Sequence, residues 1–207
     1  MKKRYYIGGS PCAGKSTVAE LLAKGCGLTY FKVDDFLEKY MEQGAAEGRP
    51  ACQRAAQMSA EQTWMRAPEI QCQEEFEIYE EIFEYILADL DRIDGENGII
   101  TEGAAYVPAL MKKLGIPGGS YLAITPTADF QVSHYRQRPF VPYVLEGCRD
   151  KERAFRNWMD RDILFAREVR RQCVEAGFAS ILNDGSLSIE AMVDAAASHF
   201  GFLPFSF

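Results

Sequence analysis

The sequence predicts an α/β domain in which a parallel sheet is covered by helices on both faces. Three observations carry that expectation. Short apolar runs alternate with segments of helical period along the whole chain. A glycine-rich turn joins the first apolar run to the first helical segment. No repeat, low-complexity tract or long linker divides the 207 residues. Right-handed crossovers between parallel strands place the helices outside the sheet. One domain is expected over residues 1–207, with about 36–94 and about 126–160 as candidate mobile lobes.

Arg4-Tyr5-Tyr6-Ile7-Gly8 is short, aromatic and β-branched, and reads as a buried first strand. From Ser16, the residues Val18, Leu21, Leu22 and Cys26 share one helical face, which Gly25 and Gly27 end. Thr29 to Val33 reads as a second strand, and Asp35 and Glu38 after it have capping-box spacing for a short helix. Residues 43–67 are weakly periodic and read as loop and short helix. Pro68 suits the first turn of a long helix, in which Tyr79, Ile82, Phe83, Ile86, Leu87 and Leu90 form the core stripe. Ile99 to Thr101 begins a third strand, a helix covers about Val107 to Leu114, and Tyr121 to Ile124 makes a fourth strand. Residues 126–148, with Pro126, Pro139 and Pro142, read as irregular. Lys151 to Ala176 reads as helix, Phe178 to Leu182 as a fifth strand and Ile189 to Phe200 as a closing helix.

Composition excludes several classes. Acidic residues outnumber basic ones by 30 to 23, a net charge of −7, which opposes a nucleic-acid backbone groove. No apolar run reaches the length of a membrane helix. The basic start Lys2-Lys3-Arg4 is followed by glycines and Pro11 rather than an unbroken apolar stretch, so a cytoplasmic protein is expected. Six cysteines lack zinc-knuckle spacing, and with only His134 and His199 present they read as free thiols in the core.

Gly9-Ser10-Pro11-Cys12-Ala13-Gly14-Lys15-Ser16 fits G-x-x-x-x-G-K-[ST] in full, between a predicted strand and a predicted helix. Glycines let successive backbone N–H groups turn inward around a phosphate, and the helix N-terminus adds partial positive charge. Lys15, expected to face solvent, can then reach the β- and γ-phosphates of ATP. The Ser16 hydroxyl can coordinate Mg2+, and Thr17 is placed for a further phosphate contact.

On these residues the chain resembles a P-loop kinase of the nucleoside-monophosphate-kinase-like group, which includes gluconate, shikimate and nucleotide kinases and chloramphenicol phosphotransferase. The resemblance extends to an acidic strand end at Val33-Asp34-Asp35, a third strand ending Thr101-Glu102-Gly103, an arginine-bearing segment and a late loop at Leu182-Asn183-Asp184-Gly185. It implies a five-stranded sheet of order 2-3-1-4-5, a substrate lobe at about 36–94, and a lid at about 126–160 that closes over ATP.

Three carboxylates are candidates for chemistry. In an open parallel sheet the reactive crevice lies beyond the carboxyl ends of the strands. Asp34 sits there with no local structural task, and related kinases hold an acceptor-orienting carboxylate at a matching strand end. Asp35 is read as a cap through Glu38. Glu102 corresponds to the acid that anchors magnesium in many P-loop proteins. Among the arginines, Arg153, Arg156, Arg167, Arg170 and Arg171 would project to one side of the late helix, while Arg161 stands apart, flanked by Asp160 and Asp162. Arg138, Arg156 and Arg161 rank first for neutralising the transferred group. Arg49, Arg54 and Arg66 are open to binding an anionic acceptor or to lying on the surface.

The expected activity is ATP-dependent phosphoryl transfer to a small-molecule acceptor. The alternatives are a nucleoside or nucleotide kinase, and a nucleotide-binding regulatory module without small-molecule transfer. No Asn-Lys-x-Asp guanine-reading stretch occurs in the chain. The acceptor and the oligomeric state are not encoded in any motif.

Overall fold

A computed structural model describes residues 3–202; Lys2 of the basic start lies outside the described residues. Strands β1 (Arg4–Gly9), β2 (Thr29–Lys32), β3 (Ile99–Glu102), β4 (Tyr121–Pro126) and β5 (Ala179–Asn183) form one sheet. Its order is β2-β3-β1-β4-β5, and every pairing is parallel. This matches the order implied by the resemblance.

Side chains alternate across the sheet with the period of two that a strand imposes. Tyr5 and Ile7 of β1, with Ile100, Leu122 and Ile124, face helices α1 (Lys15–Cys26) and α10 (Ile189–Phe200). Tyr6, Ile99, Tyr121 and Ala123 face the opposite layer, where α5 (Pro68–Arg92), α6 (Pro108–Lys113) and α9 (Lys151–Ala176) pack. Both faces of the central strands β1, β3 and β4 are therefore dry, as continuous apolar parallel strands require, while Ser180 and Leu182 of the edge strand β5 are exposed. Among the described residues no helix is long and apolar enough to cross a membrane.

The segment after β2 is more helical than expected. A single 3₁₀ turn, Val33–Phe36, leads into α2 (Leu37–Ala46), followed by α3 (Pro50–Ala56), α4 (Ala60–Trp64) and α5. The capping box expected at Asp35 and Glu38 does not form. The 3₁₀ turn displaces the start of α2 to Leu37, which has no side-chain cap, and Asp35 pairs with Lys32 at 3.0 Å instead. A capping box does form in the stretch read as loop and short helix: Ser59 Oγ accepts from Gln62 N, and the Gln62 side chain accepts from Ser59 N. Two short helices carry too few turns to show a period, which is why 43–67 looks unpatterned.

Residues 126–148 are likewise not irregular. They hold α7 (Ala128–Tyr135) and α8 (Val141–Val144); Pro142 falls in the first turn of α8, where no N–H is required. These helices share a small core with the start of α9, built from Tyr135, Val141, Leu145, Phe155 and Trp158. Trp64 of α4 stacks on Trp158, ring centroids 4.8 Å apart, and Asn157 Nδ2 donates to Trp64 O at 2.8 Å.

Close approach at the end of β1 requires glycine. A Cβ on Gly8 would stand 2.3 Å from Tyr121 Oη and 2.4 Å from the carbonyl of Tyr106, which are themselves hydrogen-bonded at 2.7 Å. The contacts are with backbone and a wedged ring, so neither can yield cheaply. Gly8→Ala is expected to lower stability by about 1–3 kcal/mol through overpacking. Urea unfolding checks this: the midpoint should fall at an unchanged denaturant slope.

Candidate active site

The loop leaving β1 turns through two glycines and one cysteine of left-handed backbone: φ is +121° at Gly9, +62° at Cys12 and +91° at Gly14. Such a run aims successive amides into one concavity. A Cβ on Gly9 would overlap Ile124 O at 1.9 Å, so both the turn and the neighbouring strand exclude a side chain there. Helix α1 begins at Lys15, its first turn anchored by Val18 N donating to Gly14 O at 3.1 Å. Across the sheet, Asn183 Nδ2 at the end of β5 donates to Ala13 O at 3.1 Å and fixes the loop's far side. Ser10 is fully buried and its hydroxyl has no partner among the described residues.

Lys15 does not face solvent as expected. It is 5% exposed, and its Nζ donates to Ser10 O at 2.9 Å. A buried ammonium must find an acceptor, and the stem folds back over the loop to reach the carbonyl at its entrance. Ser16 Oγ donates to Glu102 Oε1 at 2.9 Å, and Tyr30 Oη donates to the same oxygen at 3.1 Å. Glu102 is fully buried, and its other oxygen, Oε2, has no partner among the described residues. Burial raises the Glu102 pKa above the ordinary carboxylate value, and the charge of Asp34 adds to the shift, while Lys15, Ser16 and Tyr30 oppose it. Burial, together with Glu102, likewise raises the Tyr30 hydroxyl.

Asp34 lies in the 3₁₀ turn beside this group. Gly103, which follows Glu102, makes room for it: a Cβ there would stand 2.7 Å from Val33 Cβ and 3.4 Å from Asp34 Oδ1. The exposed Asp34 carboxylate borders a cavity of about 540 Å³ between the turn, α2 and α3. Glu102 and Asp34 are thus brought together at the carboxyl edge of β2 and β3, while Asp35 turns away to Lys32.

The arginines separate. Arg138 borders a second cavity of about 290 Å³, shared with Cys12, Gly14, His134 and Asn183. Burial raises the Cys12 thiol pKa, and the positive charge of Arg138 opposes that shift. Arg161 is held elsewhere: it pairs with Glu75 and, at 2.6 Å, with Asp162, and it lies over the ring of Trp64. Burial alone would lower its pKa, but Asp162 and Glu75 hold it above the ordinary value. Burial pushes the Asp162 carboxyl up to about 6, with Arg161 opposing. Arg156 is exposed on α9. The stripe expected on α9 is not one surface: Arg170 donates to Thr125 Oγ1 at 3.1 Å, whereas Arg171 pairs with Glu168 and Glu175.

A glycine loop between the central strand and α1, a 2-3-1-4-5 parallel sheet, and a buried acid on β3 bonded to the loop serine now stand together. The fold is that of the P-loop NTPases. No protein-family model matches the chain, and no curated protein matches it. Solved structures similar to it include shikimate kinase from Aquifex aeolicus, 19% identical over 96% of both chains with a TM-score of 0.48. Another is the YorR protein of Bacillus subtilis in complex with phosphorylated GDP. It is 15% identical over 93% of this chain and 92% of that one, with a TM-score of 0.42.

Within this fold, sequence reasoning missed Tyr30 and the Glu75–Arg161–Asp162 group. Tyr30 sits two residues before the end of an edge strand, where a hydroxyl-tipped aromatic can reach the strand-end acid; that position was its signal. Nothing local announces Glu75 as the partner of Arg161, 86 positions away.

The Glu102 shift has a stability consequence. A carboxyl whose pKa is higher in the fold than in the unfolded chain is bound to its proton more tightly in the native state, so stability falls as pH rises through the window between the two values. Glu102→Gln removes that titration while keeping the shape. Relative to wild type, the variant should gain stability as pH rises from the unfolded carboxyl range, with the difference becoming constant at acid pH. Denaturation measured across acid to neutral pH in magnesium-free buffer checks the sign; a constant difference would show that Glu102 does not titrate abnormally.

Proposed function

We propose that this chain transfers the γ-phosphoryl group of ATP to a hydroxyl of a small molecule. The observation that carries the reading is the pairing of Ser16 with a fully buried Glu102 whose second oxygen is unpartnered. Hydroxyl and carboxylate are hard oxygen donors of the kind Mg2+ takes, and an orphaned buried oxygen in such a set fits a cation. Ser16 would hold Mg2+ directly and Glu102 from behind. When bound, the ion supplies neutralisation of charge on the β- and γ-phosphates.

The chain's own groups do the rest. Gly9, Ser10, Pro11, Cys12, Ala13 and Gly14 shape the amide concavity that receives the phosphates, with Thr17 at its rim. The Lys15 ammonium exchanges Ser10 O for the β/γ-phosphate oxygens. Arg138, beside Cys12, is the arginine best placed to face the nucleotide; the pairing of Arg161 with two carboxylates suits it to fastening α5 to α9. Asp34 accepts the proton of the acceptor hydroxyl as its oxygen bonds to the γ-phosphorus and the bond to the β–γ bridging oxygen breaks, leaving ADP. The helices of 36–94 form the acceptor lobe, and 126–160 the lid.

Two variants test this. Saturating ATP at about a hundred times its Kd should stabilise the wild type by about 2.7 kcal/mol, and Lys15→Ala should lose most of that gain. Because Ser10 O loses its donor, the variant should also be less stable without ATP by about 0.5–1.5 kcal/mol. Calorimetry with and without Mg-ATP reads both, and equal ATP stabilisation of the two proteins would remove the central claim.

Asp34→Asn keeps size and most hydrogen bonding but cannot take a proton. Acceptor-stimulated ADP release should fall by about 10²–10⁴ with ATP affinity nearly unchanged. Asp35→Asn, which loses only the exposed pair with Lys32, should retain turnover. Full turnover by Asp34→Asn would transfer the role to another carboxylate.

A further inference from the structure

We infer that the acceptor is a small amine-bearing alcohol: a molecule with an apolar portion, a hydroxyl and a positive charge. This rests on the phosphotransfer reading above and names its substrate class. The cavity beside Asp34, about 540 Å³, is of the size that encloses a small organic molecule. Leu37, Met41 and Ala55 contribute its apolar wall, and its charged side chains are Asp34, Glu38 and Glu42. Leu37, Glu38, Met41 and Glu42 recur along one face of α2, so the carboxylates and the apolar contacts are presented together.

No lysine or arginine lines this cavity, and none of its three carboxylates has an ion-pair or hydrogen-bond partner among the described residues. The basic groups nearby are committed elsewhere. Arg49 pairs with Glu84, Arg54 with Glu74 and Glu77, Arg66 with Glu74 at 2.6 Å, and Lys39 with Asp89 at 3.2 Å. Carboxylate and phosphate ligands are recognised by the guanidinium fork. An acid or a nucleoside monophosphate placed here would meet three like charges, and Lys32, the cation whose charge acts on Asp34, is already paired with Asp35 at 3.0 Å. A protonated amine meets the opposite, and its hydroxyl can lie against Asp34.

The test uses the full chain with Mg2+ and a non-hydrolysable ATP analogue. Its probes are matched sets on alkyl, aryl and cyclic skeletons, in which each amino alcohol is paired with its hydroxy acid and its diol. Phenylalaninol, 3-phenyllactate and 3-phenylpropane-1,2-diol form one such set. Calorimetric titration should show the best amino alcohol binding about tenfold more tightly than its matched acid. That ratio should shrink towards one in Glu38→Gln/Glu42→Gln and, in the wild type, in about 1 M salt. Acids binding as tightly as amino alcohols, a ratio unmoved by both treatments, or no binding by any set overturns the inference. Phosphorus NMR with ATP then separates the two readings. Transfer to bound amino alcohols supports both, and transfer to acids alone overturns this one and leaves phosphotransfer standing. Amine-selective binding with no transfer overturns phosphotransfer and leaves the charge preference of the cavity in place.

Discussion

Removing a carboxylate from water is costly unless its oxygens are paired, and Glu102 sits fully buried with one oxygen accepting two hydrogen bonds and the other without a partner among the described residues. Much of the molecule's upper edge is arranged around that group. In the sheet register Glu102 stands beside Ile7 of β1 and Lys32 of β2, so the two strands that flank it deliver a donor each: Ser16 through the loop and α1, Tyr30 from β2 itself. The next residue is a glycine because the turn bearing Asp34 folds directly onto it. Lys15, drawn into the same buried neighbourhood, supplies the countercharge. The strand order thus determines which side chains can answer one buried charge.

The legibility of each part follows the range of the interactions that create it. The tight turn after β1 was readable because it depends on glycines within eight consecutive positions, although the left-handed backbone of Cys12 within it was not. Helices α1, α5, α9 and α10 were readable because each is long enough to repeat its apolar stripe. The short helices were not. The capping pair of Ser59 and Gln62 stood in the sequence, but five residues of α4 cannot show a period. Asp35 and Glu38 had the spacing of a cap, yet a 3₁₀ turn fixed by the packing of Val33 on Gly103 moved the helix start past them. The destination of Lys15 and the partners of Arg161 were closed to sequence reasoning, since burial and helix pairing decide where a long cationic side chain finds its acceptor.

Charge bookkeeping within the helical segment after β2 divides it into two regions. On α5, glutamates Glu74, Glu75, Glu77 and Glu84 are consumed by arginines from α3, α9 and the intervening loops. These pairs add to apolar packing such as Phe76 stacked on Phe165, and the partly buried ones are screened least by solvent. On the α2 side, Glu38 and Glu42 have no ion-pair partner among the described residues, at the place where the sheet's crevice opens.

The seam between α4 and α9 has an optical consequence. The chain contains two tryptophans, and both are spent on one contact, Trp64 lying nearly parallel to Trp158 at 4.8 Å with an interplanar angle of 29°. Arg161 of the same helix rests its guanidinium over Trp64. The tryptophan emission of the protein therefore originates at one joint, and its wavelength and quenching report the spacing of α4 and α9 with no label attached.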